Sequence, residues 1–211
     1  MNDIIGYYIN LNNRQDRKKN IENIKKKYNF FKDIKRMSAI HNKRGDIGCA
    51  LSHIKCLNEF KSNVNTYKLF MIIEDDFQII NEEKFKNFEN SFDNIKNENW
   101  DVIILTPRGI TYKKNFLIDF HKIIDNQTTT GYIIKENMID ILIEKYKESI
   151  NNLSLNKNTD IWAIDQNWKS LQNKHNFLYY KEIFAGQLPG YSDVQNKSVN
   201  YNDRFIKQYM F

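Results

Sequence analysis

The sequence predicts an α/β domain, with helices flanking a central, mostly parallel sheet. Three observations carry this. Short apolar runs of strand length alternate with longer amphipathic segments of helical period, the pattern of strand and crossover helix in turn. No stretch rich in Pro, Gly or Ser divides the 211 residues, so one domain is expected, long enough to bury a sizeable core. Hydrophobic residues make up 41% and charged residues 27%, proportions of a globular chain rather than a disordered one.

The elements follow in order. Residues 4–11, IIGYYINL, read as a buried strand, and 14–28 as a helix with Ile21, Ile24 and Tyr28 on one face and bases on the other. A short strand is expected at 35–40. Gly45 and Asp46 then open an amphipathic helix to about Phe60, with Asp46 as its N-cap. A buried strand over 68–73, a helix over 82–95 and a strand over 100–107, WDVIILTP, complete a regular first half. The second half is less regular: extended chain at 115–124, a strand at 128–134, helices at 136–149 and 160–171, a strand at 176–184 and a polar tail from 186.

The amino terminus, MNDIIGYYINLNN, has no basic stretch followed by an apolar one, and no apolar run approaches the roughly 18 residues that span a bilayer. A soluble, cytoplasmic protein is expected. Cys49 and Cys56 lie seven apart on one expected helix, about 10 Å of rise, which suits two free thiols better than a disulfide. Both are expected in the core, although Cys49, His53 and Cys56 share a helical face that suggests zinc; three donors on one helix need a further ligand from elsewhere. The net charge of +6, from 32 basic and 26 acidic residues, suits a phosphate-bearing ligand. The bases are dispersed rather than gathered on one element among aromatics, which argues against nucleic acid as a partner.

The chemistry gathers at LFMIIEDDFQII, residues 69–80, where an apolar strand stops on Glu74, Asp75 and Asp76. That places them at the carboxyl end of a strand, the edge at which open α/β sheets bind ligands. Adjacent carboxylates repel, a nearby cation relieves them, and hard oxygen donors suit Mg²⁺ or Mn²⁺. In extended chain Glu74 and Asp76 point the same way, so this pair is the expected metal site. The competing reading is an acidic strand end at the surface.

Three ordered blocks resemble the family 25 glycosyltransferases, which include bacterial lipooligosaccharide and collagen hydroxylysine galactosyltransferases. They are INLNNRQDR, with Ile9, Asn10, Leu11, Arg14, Asp16 and Arg17; GDIGCALSH, with Gly45, Asp46, Ile47, Gly48, Cys49, Ser52 and His53; and the strand ending in Glu74, Asp75 and Asp76. Weaker resemblance continues through 131–142, 161–168 and 190–194. The resemblance implies a GT-A-type nucleotide-diphospho-sugar transferase fold, in which about 1–108 bind the nucleotide sugar and about 109–211 form the acceptor side. It further implies a UDP-sugar donor, UDP-galactose or else UDP-glucose, a glycan or protein hydroxyl as acceptor, the E-D-D segment as metal site, and inversion at the sugar. Asn10, Leu11, Ala39, Ser52, His53 and Asp75 fall in or beside these blocks and are the implied donor-site residues. Where the family has an acidic residue and Gly after the Ala that ends strand two, this chain reads Ala39, Ile40, His41, Asn42, which bears on how the nucleoside is held.

Roles follow from the side chains. Arg14 and Arg17, three apart on the first helix, can face one phosphate, Arg14 being favoured; a solvated basic face with Lys18 and Lys19 is the competing reading. Inversion needs a base for the acceptor hydroxyl. Asp165, between Trp162 and Trp168, is the first choice, Asp193 the second and Asp75 the third. Ser52 and His53 either contact the donor or hold the metal-site loop. Other classes weighed are a nucleic-acid-binding protein, a Mg²⁺-dependent phosphotransfer domain and an inactive sugar-binding domain of the same fold.

Overall fold

The computed structural model describes residues 4–192, 197–201 and 208–210. Its first part alternates as the pattern requires: β1 (Ile4–Asn10), α1 (Gln15–Lys27), β2 (Lys35–Ser38), α2 (Gly45–Lys61), β3 (Leu69–Glu74), a short β4 (Phe77–Ile79), α3 (Glu82–Ile95) and β5 (Val102–Ile104). There follow β6 (Ile110–Leu117), β7 (Phe120–Asp125), β8 (Gly131–Lys135), α4 (Met138–Ser154), α5 (Thr159–Trp162), α6 (Ile164–Asn167), α7 (Lys169–Gln172), β9 (Phe177–Tyr180), β10 (Ala185–Gln187), β11 (Gly190–Ser192), β12 (Lys197–Val199) and β13 (Gln208–Met210).

Nine strands form one sheet in the order β13-β6-β7-β9-β5-β8-β3-β1-β2. Tracing the pairings outward from β3, strands β1, β2, β5, β6, β9 and β13 run with it, and only β7 and β8 run against it. The mostly parallel sheet is thus observed, and the carboxyl ends of β1, β2, β3 and β5 share one edge.

Strand alternation divides the core into two layers. Phe70 and Ile72 of β3 join α2 and α4 on one face; Leu69, Met71 and Ile73 join α1 and α3 on the other. Helix α3 is set by its sequence: Asn81 Oδ1 accepts the Lys84 N–H as an N-cap, and Phe85, Phe88, Phe92 and Ile95 form its buried stripe. Phe88 stacks on Phe184 with centroids 4.6 Å apart and is fully buried. Phe88→Ala is expected to destabilise the protein by about 3–5 kcal/mol, read as a lower urea midpoint with an unchanged denaturant slope.

Four local expectations are corrected. Asp46 lies inside the first turn of α2, whose N-cap is Arg44; its carboxylate instead takes Arg44 Nη2 at 2.7 Å and the Thr159 hydroxyl at 2.8 Å. The helix expected over 160–171 is three single turns, because Ala163 takes the extended conformation φ −56°, ψ 148° between α5 and α6. That break lets Ile164 and Trp168 enter the core. The extended 115–124 segment falls on the β6–β7 hairpin, turned at Asp119 with φ 64°. The tail from 186 is not featureless: β10 pairs with β4, and β11 with β12.

Candidate active site

A cavity of about 540 Å³ opens at the shared carboxyl edge, lined from β1, the chain after β2, α2, the end of β3, the turn before β8, α6 and β10. The acidic triplet sits on its floor. Glu74 ends β3 and the chain turns at Asp75 and Asp76, so the three side chains do not alternate as in a strand; all three line the cavity, and Asp75 and Asp76 share Arg17.

Glu74 Oε1 accepts the Thr129 hydroxyl at 2.9 Å and lies 3.3 Å from His53 Nε2. Burial works to raise this carboxyl, but His53 and Thr129 together outweigh it and hold it below the usual range. Asp75 is held on both oxygens: Asn10 Nδ2 donates to Oδ2 at 2.7 Å and Arg17 Nη1 to Oδ1 at 3.0 Å. Burial still leaves its pKa raised, against the pull of Arg17 and Asn10. Asn10 is oriented in turn by Arg36, whose Nε donates to Asn10 Oδ1 at 2.9 Å, so the amide nitrogen faces the carboxylate.

Asp76 differs from its neighbours. Its Oδ1 is buried with no partner, while Oδ2 lies 3.4 Å from both Arg17 Nη1 and Gln187 Nε2. Burial, and then the Glu74 charge, push its pKa up to about 7. The folded-state pKa thus stands above the unfolded value near 3.9, so the folded protein holds more protons across that window and loses stability as pH rises from about 4 to 7. Asp76→Asn is accordingly expected to stabilise chelator-treated protein at pH 8 and to change nothing at pH 3.5. Denaturant unfolding at the two pH values checks this.

The remaining expected residues divide. Leu11, Arg17, Ala39, Ser52, His53 and Asp165 line the cavity. Arg17 bridges Asp75 and Asp76 and donates Nη2 to the Tyr191 carbonyl at 2.8 Å. Arg14 is paired with Asp16 at 3.1 Å and reaches the same carbonyl at 3.3 Å, outside the cavity lining. Asn10 lies behind the wall and acts through Asp75. The Ser52 hydroxyl accepts the Ile40 N–H at 2.8 Å and donates to the Gly48 carbonyl at 2.7 Å, tying the chain after β2 to α2. A Cβ at Gly48 would meet the Ile40 carbonyl at 2.7 Å, so this close approach requires glycine. His53 is fully buried, its Nδ1 2.9 Å from the Tyr132 hydroxyl, and it holds Glu74 in place. Asp193 lies outside the described residues.

Asp165, on α6, lines the same cavity as the triplet. Burial raises its pKa, Arg108 works against that from 3.8 Å, and the Glu74 charge adds to the rise. The flanking tryptophans do not border the cavity: Trp168 is core, packed on Tyr132 and Phe177. The cysteines also part company. Cys56 is buried in the core as expected, whereas Cys49 is half-buried and lines the cavity.

Three contributors were not read from the sequence. Arg108 follows β5 at the same sheet edge, is buried with an unpartnered Nε, and lies 4.4 Å over the Tyr201 ring. Its backbone N–H donates to Asn126 Oδ1 at 2.7 Å, and Asn126 is clamped by Gln172 of α7. Gln187 joins Arg108 to Asp76, accepting from the first at 3.3 Å and donating to the second at 3.4 Å. Thr129 is carried by the turn at Thr128, φ 148°, just before β8. The rule that places ligands at strand carboxyl ends, extended to β5, would have found Arg108; nothing in the sequence pointed to Gln187.

Glu74 and Asp76 fit a hard divalent cation. The buried Asp76 Oδ1 lacks a partner, and among the described residues Glu74 Oε2 has none from the protein, so two carboxylate oxygens stay available to an ion of the Mn²⁺ or Mg²⁺ kind.

By sequence, no protein-family model and no curated protein matches this chain. By structure, it is similar to a glycosyltransferase involved in the glycosylation of the major capsid of PBCV-1, with TM-score 0.54 and 9% identity over 92% of this chain and 96% of that one. Slighter likenesses, too weak to argue from, are to A197 from STIV (TM-score 0.48, 13% identity, 98% and 97% covered) and to UDP-glucose pyrophosphorylase complexed with UDP-glucose (TM-score 0.47, 12% identity, 84% and 72% covered). At such identities a likeness speaks to architecture alone, and that architecture is a GT-A-type α/β fold with a mostly parallel central sheet flanked by helices.

Proposed function

We propose that this protein is a metal-dependent inverting glycosyltransferase that moves a hexose, galactose or glucose, from a UDP-sugar to a hydroxyl of a glycan or protein acceptor. The observation that carries this is that one cavity is lined both by Glu74 and Asp76, with two available carboxylate oxygens, and by a separate carboxylate, Asp165. A GT-A-type fold with a glycosyltransferase among its structural neighbours supports it.

Glu74 and Asp76 would hold the ion, Mn²⁺ or Mg²⁺, which when bound supplies positive charge to the departing diphosphate. His53 and Thr129 fix Glu74, and Gln187 and Arg17 fix Asp76, so the two oxygens are oriented before the donor arrives. Asn10 and Arg17 occupy both oxygens of Asp75, giving it a positioning role. Arg108 adds a second guanidinium to the cavity, suited to phosphate. Asp165 is the base: its carboxylate takes the acceptor hydroxyl's proton as that oxygen attacks the sugar from the face opposite the leaving group. Residues to about 108 then serve the nucleotide sugar, supported by Thr129 and Gln187, and the half from about 109 otherwise serves the acceptor side.

The test is UDP release by the purified full chain from UDP-galactose and UDP-glucose, with Mn²⁺ or with chelator. Metal-dependent release is expected. Absence of any binding to either donor would overturn the assignment.

A further inference from the structure

Two residues of α2 and the last residue of β3 converge around Cys49, the one member of the group to which the proposed donor chemistry gives no role. Cys49 and His53 are four apart on α2 and therefore one turn apart on one face, the spacing with which helices present paired metal ligands. Glu74 comes to them from β3. The Cys49 Sγ, a His53 ring nitrogen and a Glu74 carboxylate oxygen all lie within 4.8 Å of one another.

The His53 Nε2 to Glu74 Oε1 distance of 3.3 Å is already the edge of a tetrahedron with bonds of about 2.0–2.1 Å. The opposite ring nitrogen has an oxygen partner, the Tyr132 hydroxyl at 2.9 Å, itself met by the Tyr146 hydroxyl at 3.4 Å. Such a partner fixes the tautomer and turns the other nitrogen to a metal. The cavity supplies the open fourth position, as in three-ligand zinc sites. Cys56, a turn further along α2, is completely buried and takes no part.

We propose that Cys49, His53 and Glu74 form a site for a thiophilic divalent cation of the Zn²⁺ class at the floor of the cavity. One sulfur, one nitrogen and one oxygen donor select such an ion over Mg²⁺ or Mn²⁺. Cys49 binds as the thiolate, so one proton leaves to solvent for each ion taken up. Because the Glu74 carboxylate is shared, a filled site sets a second positive charge beside the pair with Asp76 and weakens its hold on Mn²⁺ or Mg²⁺, so Zn²⁺ becomes an inhibitor; that consequence alone rests on the function proposed above.

Co²⁺ is the probe, added to the metal-free full chain. A near-ultraviolet thiolate-to-cobalt charge-transfer band saturating at one ion per chain is expected, lost in Cys49→Ser and kept in Cys56→Ser. No band in the wild type, a band that survives Cys49→Ser, or one lost in a folded Cys56→Ser overturns the site. Alkylation of the wild type, read at Cys49 by mass spectrometry, needs no variant: Zn²⁺ should slow it at least tenfold, and an unchanged rate overturns the site equally. A cobalt band without UDP release under any metal would uphold the site and remove the glycosyltransferase reading. UDP release without the band would do the reverse.

Discussion

Glu74→Ala and Asp76→Ala are each expected to lower Mn²⁺-supported UDP release from UDP-galactose or UDP-glucose by at least about 100-fold, which is about 2.7 kcal/mol of transition-state stabilisation. The two variants lose activity for the same reason but differ in what they do to stability. Alanine at 74 removes the acceptor of the Thr129 hydroxyl and the partner of the buried His53 ring, so a modest loss of stability should accompany the loss of rate. Alanine at 76 removes a buried carboxylate that burial and the Glu74 charge already disfavour, so the fold should hold or gain. Urea unfolding beside the UDP assay separates these effects. Full activity in both variants would sink the metal assignment.

Asp165→Asn should lower kcat by about 10²–10⁴-fold, the range for losing a general base, with donor KM changed little because the ion that meets the donor is assigned to Glu74 and Asp76 and not to Asp165. The pH profile gives an independent reading. Asp165 must be ionised to accept a proton, and burial raises its pKa, so wild-type activity should fall as pH drops through that raised value. Arg108 holds the pKa down against burial, and Arg108→Leu should move the acid limb to higher pH. An unshifted limb in Arg108→Leu, or an active Asp165→Asn, would remove Asp165 from the role.

The fold and the candidate site were legible to different depths. Helix α3 matched its expected span, Glu82–Ile95, because its cap and its Phe stripe are local. Strands β1 and β3 were read from continuous apolar runs, as strands buried on both faces must be. The helix expected at 160–171 broke at Ala163, whose extended conformation re-aims the turn that follows, so that Ile164 and Trp168 enter the core while Asp165 lines the cavity. Within the triplet, strand alternation grouped Glu74 with Asp76, whereas the turn after Glu74 joins Asp75 and Asp76 through Arg17 and leaves Glu74 to His53 and Thr129.

By itself the sequence determined the α/β class, the apolar face of α1 and the placing of Glu74, Asp75 and Asp76 at a ligand-binding sheet edge. These follow from periodicity and strand order, which are properties of neighbouring residues. Only the tertiary structure decided that Arg17 rather than Arg14 meets the triplet, that Asn10 is clamped by Arg36 onto Asp75, that Cys49 faces the cavity while Cys56 does not, and that Arg108, Gln187 and Thr129 complete the walls. Those contacts join residues as far apart as Asp76 and Gln187. Buried polar groups must find partners wherever the packed sheet brings them, and no local pattern encodes which distant side chain will be in reach.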